Sequence, residues 1–199
     1  MIVIGLTGSI GMGKSGAAKM LKRMGVPVFD SDVAVRHALT RDEAAIEEIA
    51  LTFPESWDRK NARLDRGKLG AIVFDDARKR KKLESILHPI VQAGQKRFVA
   101  AMKRLGKKAV VLDIPLLFET GAEKRVDYTI VVTAPYSIQR RRVLRRVGMT
   151  QEKFEKILSH QMPDAEKQAR ADFVVQTGLG YALTQQELRK IVRGLLKNA

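Results

Sequence analysis

The chain has 199 residues, 45% of them hydrophobic, with a formal net charge of +15 and no cysteine. That length suits one domain, or one core with lobes inserted into it. The lack of cysteine excludes disulfides, cysteine metal sites and thiol catalysis, and no apolar run reaches the roughly 18 residues of a membrane span. The start, Met1-Ile2-Val3-Ile4-Gly5, has no basic leader and no small-residue cleavage site. No signal peptide is therefore expected, and the cytoplasm is the default compartment. The positive charge favours polyanions as partners: nucleic acid, an anionic membrane, or multiply phosphorylated small molecules.

In chain order, Ile2 to Leu6 reads as a short buried strand that runs into glycine. Lys14 to Met24 has helical spacing, with Ala17, Ala18, Leu21 and Met24 on one side and Gly25 as the stop. Val26 to Phe29 is a second strand, cut off by Asp30-Ser31-Asp32, where Ser31 or Asp32 can cap the next helix. From about Val33 to Leu105 the pattern is helical, with breaks expected at Pro54, Gly67, Gly70, Pro89, Gly94 and Gly106. Asp75 or Asp76 caps a segment carrying the run Arg78 to Lys82, and His88-Pro89 is expected at a helix junction. Trp57 is expected to pack inside this stretch, and His37, His88 and His160 lack metal-ligand spacing and read as structural. Ala109 to Asp113 and Tyr128 to Thr133 are the third and fourth strands. Pro135 to Val147, Thr150 to Gln161 and Asp164 to Arg170 are helices, and Asp172 to Gln176 is a fifth strand. Thr184-Gln185-Gln186-Glu187 reads as a capping box opening a terminal helix. Short apolar strands alternating with helices predict an α/β fold with a parallel sheet. The helical stretch is too long for one crossover, so part of it reads as an inserted lobe.

Gly8-Ser9-Ile10-Gly11-Met12-Gly13-Lys14-Ser15 fits the phosphate-loop pattern G-x-x-x-x-G-K-[ST]. Glycines let successive backbone N–H groups converge on phosphate oxygens, and the helix that follows adds its dipole and unpaired amides. Lys14 reaches the β- and γ-phosphates, and the Ser15 hydroxyl suits Mg²⁺. Asp113, ending the third strand, can hold that Mg²⁺ directly or through water, or can face solvent. Asp30 and Asp32 follow the second strand; one of them can take a proton from an attacking hydroxyl, and Asp32 can instead cap a helix. Because ligands bind where parallel strands end, Gly8 to Ser15, Asp30 to Asp32 and Asp113 are expected to converge. Gln139 to Arg146 holds five arginines. On one helix Gln139, Arg142 and Arg146 would share a sector, and Arg141 and Arg145 another. Such a helix can clamp a transferring phosphoryl, bind nucleic acid, or simply face water. Tyr136 is the one aromatic nearby, which weakens a base-stacking platform. The absence of an N-K-x-D string argues against a GTPase switch.

Taken in order, "IGLTGSIGMGKS", "FDSD", "LDRGKLGAIVF", "LESILHP", "VVLDIPLLFE", "QRRRVLRR" and "HQMP" resemble the dephospho-coenzyme A kinase family, from about residue 2 to 178. Many small kinases share the first string; "LHP" followed by "DIPLLFE" and "QMP" is the specific part. The family usually carries asparagine in a D-N-S-G-like form near "DFVVQTG"; Gln176-Thr177-Gly178 stands here, so an asparagine contact to adenine is not carried over. The resemblance implies a P-loop NTPase-type five-stranded parallel sheet flanked by helices. It implies a nucleotide core (about 1–32, 106–138 and 171–199), a helical acceptor lobe (about 33–105) and a basic helical lid (about 139–170). It also implies transfer of the ATP γ-phosphoryl to the ribose 3′-hydroxyl of dephospho-coenzyme A. Gly8 to Ser15 would cradle ATP, with Lys14 on the phosphates. Asp32 would be the base on the 3′-hydroxyl, and Arg142 and Arg146 would steady the phosphoryl. Arg66, His88 and the Pro115–Glu119 segment, Pro115 and Leu116 in particular, would help shape the acceptor site. Both substrates are polyanions, so the charge has a use without nucleic acid or membrane, in a monomer or weak homo-oligomer. Two rival readings are a different small phosphate-loop kinase and a nucleotide-gated nucleic-acid binder; the chain shows no separate basic domain for the latter.

Overall fold

The structure, a computed structural model, describes residues 1–74 and 76–197. Its contacts divide it into two compact units, Met1–Asp30 with Val99–Ala199, and Ser31–Phe98. The chain leaves the first unit at the end of its second strand and returns within a long helix.

The first unit is built on five parallel strands: β1 (Ile2–Thr7), β2 (Val28–Asp30), β5 (Ala109–Asp113), β6 (Tyr128–Thr133) and β7 (Phe173–Gln176). Their order across the sheet is β2-β5-β1-β6-β7. Central strands of such a sheet are covered on both faces, and the sequence obeys this: β5 is buried at every position. Helices α1 (Lys14–Arg23), α6 (Tyr136–Leu144), α7 (Gln151–Ser159), α8 (Asp164–Arg170) and α9 (Tyr181–Lys197) complete the unit, with a 3₁₀ turn at Ala122–Arg125. One apolar cluster joins Ile4, Leu6, Val111, Ile130 and Val132 of the sheet to Ala17 and Leu21 of α1 and Leu188, Val192 and Leu195 of α9. β1 pairs with β5 from Ile2↔Ala109 to Leu6↔Asp113, and β2 pairs with β5 so that Asp30 lies opposite Asp113. The strands' carboxyl ends therefore share one edge of the sheet.

The second unit holds α2 (Ser31–Arg41), α3 (Glu43–Thr52), a 3₁₀ turn (Pro54–Ser56), the hairpin of β3 (Trp57–Asp58) and β4 (Arg63–Leu64), α4 (Arg66–Phe74) and most of α5 (Ala77–Arg104). Its core gathers Ala38, Ala45, Ile49, Phe53, Leu64, Leu69, Ile86 and Leu87, with Trp57 packed against it as the sequence suggests. Asp42 caps α3 by accepting the Ala45 N–H at 3.1 Å. Asp76 caps α5 through the N–H groups of Arg78 (2.8 Å) and Lys79 (3.1 Å). The Lys79 N–H bond above all holds the Asp76 carboxyl below the usual carboxylate range. The alternative cap, Asp75, lies outside the described residues.

Several expectations need correction. No junction forms at His88-Pro89: α5 runs unbroken for 28 residues with Pro89 and Gly94 inside it. A proline there removes one intrahelical bond, and burial of Ile86, Leu87 and Val91 on one face outweighs that local cost. Gly67 and Gly70 likewise sit within α4. α2 starts at Ser31, so Asp32 lies in its first turn; the Ser31 hydroxyl instead accepts from Gln95 at 3.2 Å. α9 starts at Tyr181, three residues before the expected box. The Thr184 hydroxyl donates to Gly180 O at 2.8 Å and Gln176 O at 3.1 Å. α6 ends at Leu144, so Arg145 and Arg146 leave the helix and the expected shared sectors with Arg142 and Arg141 do not form. His37, His88 and His160 are exposed rather than built into a core. The hairpin at 57–64 was not expected; its two-residue strands are too short to show an alternating pattern.

If α5 is continuous, Pro89→Ala restores a donor for the preceding turn and stabilises the protein by about 1–3 kcal/mol, up to the interior proline penalty. Urea unfolding measures this. A junction would give the reverse, a loss of roughly 0.4–1 kcal/mol from the freer unfolded chain.

Candidate active site

The loop Gly8–Gly13 leaves β1 and turns directly into α1. Gly13 precedes the helix with φ +93°, and a Cβ there would stand 2.8 Å from the Thr177 hydroxyl oxygen. Gly11, at φ +79°, would drive a Cβ to 2.6 Å from a Val143 methyl of α6. These two positions take the left-handed conformation that glycine allows, and each has a neighbour where a side chain would go. Gly16 and Ala17 donate to Gly13 O (3.0 and 3.1 Å), which starts the helical ladder. The amides of Lys14 and Ser15 precede that ladder, as the first N–H groups of any helix do, and carry the positive end of its dipole.

Lys14 Nζ pairs with Asp113 Oδ1 at 2.5 Å. Asp113 is buried at 3% exposure, so its charge needs that partner. On its other side in the sheet lies Asp30, in register across β2 and β5. The segment after β5 is tied to β1 by the Thr7 hydroxyl, which donates to Pro115 O at 3.0 Å. The structure thus brings together Gly8 to Ser15, Asp30, Asp113 and Pro115-Leu116 at the carboxyl edge of the first unit's sheet.

Arg142 does not project from an open helix face. Its Nη1 donates to Thr177 Oγ1 (2.9 Å) and Gly11 O (3.3 Å), and its Nη2 to Thr177 O (2.8 Å). Arg146 is exposed beyond the helix end, and Arg141 and Arg145 are exposed as well. In the second unit, Asp32 occupies the first turn of α2, Arg66 begins α4, and His88 is exposed on α5. Arg66 also lines a pocket of about 560 Å³ with Leu39, Ile46, Asp58, Arg63 and Asp65. The acceptor residues named from sequence are therefore divided between the units: Arg66 and His88 in one, Pro115 and Leu116 in the other.

The motifs leave Thr177, Gln161 and Lys167 without a role and place Gln139 only on the arginine helix and Glu119 only in the acceptor segment, yet each makes a side-chain bond within the first unit. Thr177 Oγ1 donates to Met12 O at 2.7 Å, Gln139 Nε2 donates to Ile10 O at 2.8 Å, and Gln161 Oε1 accepts the Ile10 N–H at 3.0 Å. Glu119 accepts the Met162 N–H at 2.9 Å and pairs with the fully buried Lys167 at 2.8 Å. The signal present in the sequence was the amide-bearing glutamine inside "QRRR" and "HQMP", which periodicity alone cannot distinguish from a surface residue.

The donor set at Ser15 and Asp113 is a hydroxyl and a buried carboxylate, the hard oxygen ligands that Mg²⁺ takes beside its waters. Among the described residues no cluster of three or more histidines or carboxylates forms a caged metal site, and none of the helices is long and apolar enough to cross a membrane.

Comparison with known proteins adds the following. The sequence model of the CoaE (dephospho-CoA kinase) family matches residues 2–180. A Mesorhizobium japonicum protein named dephospho-CoA kinase is 50% identical over 192 residues, 96% of this chain and 95% of its own. One from Bartonella quintana with the same name is 46% identical over the full length of both chains. Among solved structures, TT1252 of Thermus thermophilus superposes with a TM-score of 0.83 at 37% identity, covering 97% of this chain and 96% of that one. A dephospho-CoA kinase from Campylobacter jejuni gives 0.72 at 26% identity, covering 98% of each chain. A shikimate kinase from Acinetobacter baumannii shares the fold, with a TM-score of 0.52 at 17% identity, covering 100% of this chain and 94% of that one.

The loop geometry yields a direct test. Gly13→Ala places a methyl against Thr177 on a strained backbone, and Mg-ATP affinity by calorimetry should fall at least ten-fold, as expected for roughly 1.4 kcal/mol or more of strain. Unchanged affinity would contradict the assignment of this loop as the phosphate cradle.

Proposed function

Because this chain belongs to the dephospho-CoA kinase family, we propose that its carboxyl-edge site performs the family's reaction with the groups described above. The γ-phosphoryl of ATP passes to the ribose 3′-hydroxyl of dephospho-coenzyme A, giving coenzyme A and ADP. The observation that carries this reading is the glycine loop at the head of α1, with Lys14 beside the buried Asp113.

The amides at the head of α1 and the Lys14 ammonium bind the triphosphate tail, whose charge they offset in a site that need not reorganise. Ser15 and Asp113 would hold Mg²⁺, which when bound neutralises phosphate charge. The Asp32 carboxylate takes the proton of the 3′-hydroxyl. The freed oxygen attacks the γ-phosphorus as the bond to the β–γ bridging oxygen breaks, and that oxygen leaves on ADP. Arg142 and Arg146 counter the charge on the transferring group; Arg142 does so from a fixed seat, with three hydrogen bonds already orienting its guanidinium. Arg66, His88, Pro115 and Leu116 are the residues we assign to the acceptor. Most of the rate gain in such a transfer comes from positioning and electrostatics. A basic lid over residues 139–170 would keep water, a competing acceptor, away from the phosphoryl. We take the enzyme to work in the cytoplasm as a monomer or weak homo-oligomer.

Coupled ADP release with Mg-ATP and a panel of acceptors tests this. Turnover should require dephospho-coenzyme A; turnover with another alcohol and none with this one would refute the reading. Asp32→Asn should lower kcat by about two to four orders of magnitude, the usual worth of a general base. An effect confined to KM would make Asp32 a binding group. Lys14→Ala should leave no measurable turnover in the same assay, and near-normal rates would remove Lys14 from the phosphates.

A further inference from the structure

The phosphate loop is held from outside by side chains, of which all but Arg142 have no assigned part in the reaction. A trans peptide points its C=O and its N–H in opposite directions. Fixing the carbonyl of residue i therefore aims the amide of residue i+1. In this loop three consecutive carbonyls, Ile10, Gly11 and Met12, are each taken by a side-chain donor. Gln139 Nε2 holds Ile10 O at 2.8 Å, Arg142 Nη1 holds Gly11 O at 3.3 Å, and the Thr177 hydroxyl holds Met12 O at 2.7 Å. The Ile10 peptide nitrogen is held too, by Gln161 Oε1 at 3.0 Å. The glutamine orientations follow from chemistry: an N–H needs an oxygen and a C=O needs a donor.

Each holder is itself fixed. Gln139 is buried at 3% exposure. Thr177 follows β7, whose ladder to β6 is continued by the Thr177 N–H donating to Thr133 O at 2.8 Å, and Arg142 adds two bonds to it. Gln161 precedes Met162, whose N–H is anchored on Glu119, and Glu119 is paired with the buried Lys167. The missing Cβ of Gly13 leaves the room that Thr177 occupies.

We propose that Gln139, Gln161 and Thr177 are positioning residues for phosphoryl transfer, which set the peptide planes of the loop so that the Gly11 and Gly13 amides face the phosphates, while the Met12 amide closes the turn on Ser9 O at 3.1 Å. They touch the loop and not the reacting atoms. This inference rests on the kinase reading for the identity of the ligand.

The test compares Gln139→Met, Gln161→Met and Thr177→Val, each close in volume and lacking the relevant polar atom, with Thr177→Ser as the conservative restoration. Four quantities are read: Mg-ATP affinity, kcat/KM for each substrate, the thermal midpoint, and amide hydrogen exchange over Gly8 to Ser15 in the protein without nucleotide. Leaving a buried or partly buried loop group unpaired should weaken Mg-ATP about ten-fold in each of the three variants. The KM for dephospho-coenzyme A should stay within about two-fold, since the acceptor is bound elsewhere. The Ile10 amide should exchange about ten-fold faster in Gln161→Met, which loses its acceptor, and Thr177→Ser should recover most of the affinity lost in Thr177→Val. Variants that melt earlier but bind Mg-ATP and exchange like the wild type would show scaffold contacts only and overturn the proposal. Equal losses for both substrates would overturn it as well. Failure of the kinase reading shows separately, as wild-type protein that does not turn over dephospho-coenzyme A; the affinity and exchange comparisons remain readable in that case.

Discussion

A loop that grips phosphate with bare amides must dispose of the carbonyls on the far side of the same peptide planes. Left unpaired, a buried carbonyl costs about 1–3 kcal/mol, and pointed inward it repels the ligand. The first unit meets this constraint with donors from two places, α6 and the turn after β7, while Gln161 in the loop before α8 accepts the Ile10 N–H. Strands β6, beside β1, and β7, beside β6, deliver these donors, since β6 leads into α6 and β7 ends at Gln176, one residue before Thr177. The sheet order, with β1 central between β5 and β6, puts the acidic and the amide-holding sides on opposite flanks of the loop.

The acidic flank has its own logic. Asp113 is placed by the last residue of a strand that is apolar throughout, and it is held as a charge in a buried place by Lys14. Asp30 in the neighbouring register adds a second carboxylate, so the negative charge of this edge is set by strand pairing rather than by loop conformation. The chain then continues two residues to Asp32 in α2, so the base assigned to the acceptor alcohol belongs to the unit that carries Arg66 and His88.

Much of this was legible in the sequence because it is periodic or punctuated. The five strands are short apolar runs, and the phosphate loop is a fixed spacing of glycines, lysine and serine. What was not legible depends on tertiary packing. Pro89 signals a break locally, yet the apolar face of α5 carries the helix through it. Four of the five arginines read as two helical sectors, but α6 stops at Leu144, and Arg142 turns onto the loop. Thr184 and Glu187 fit a capping box, but the helix starts earlier and Thr184 bonds backward to Gly180. Thr177, where the family usually has asparagine nearby, has no local signature at all. Its role appears only when Gly13, Arg142 and Met12 are seen around it. Side-chain bonds between residues about 130 to 165 positions apart leave no spacing to read.

The measurement that bears most directly on this account is a crystal structure with a non-hydrolysable magnesium ATP analogue and dephospho-coenzyme A bound together. It should show the β- and γ-phosphates ringed by amides of the Gly11 to Ser15 segment, and the ribose 3′-oxygen within hydrogen-bond reach of Asp32. Phosphates seated elsewhere, or a 3′-oxygen turned away from Asp32 and facing solvent, would contradict it.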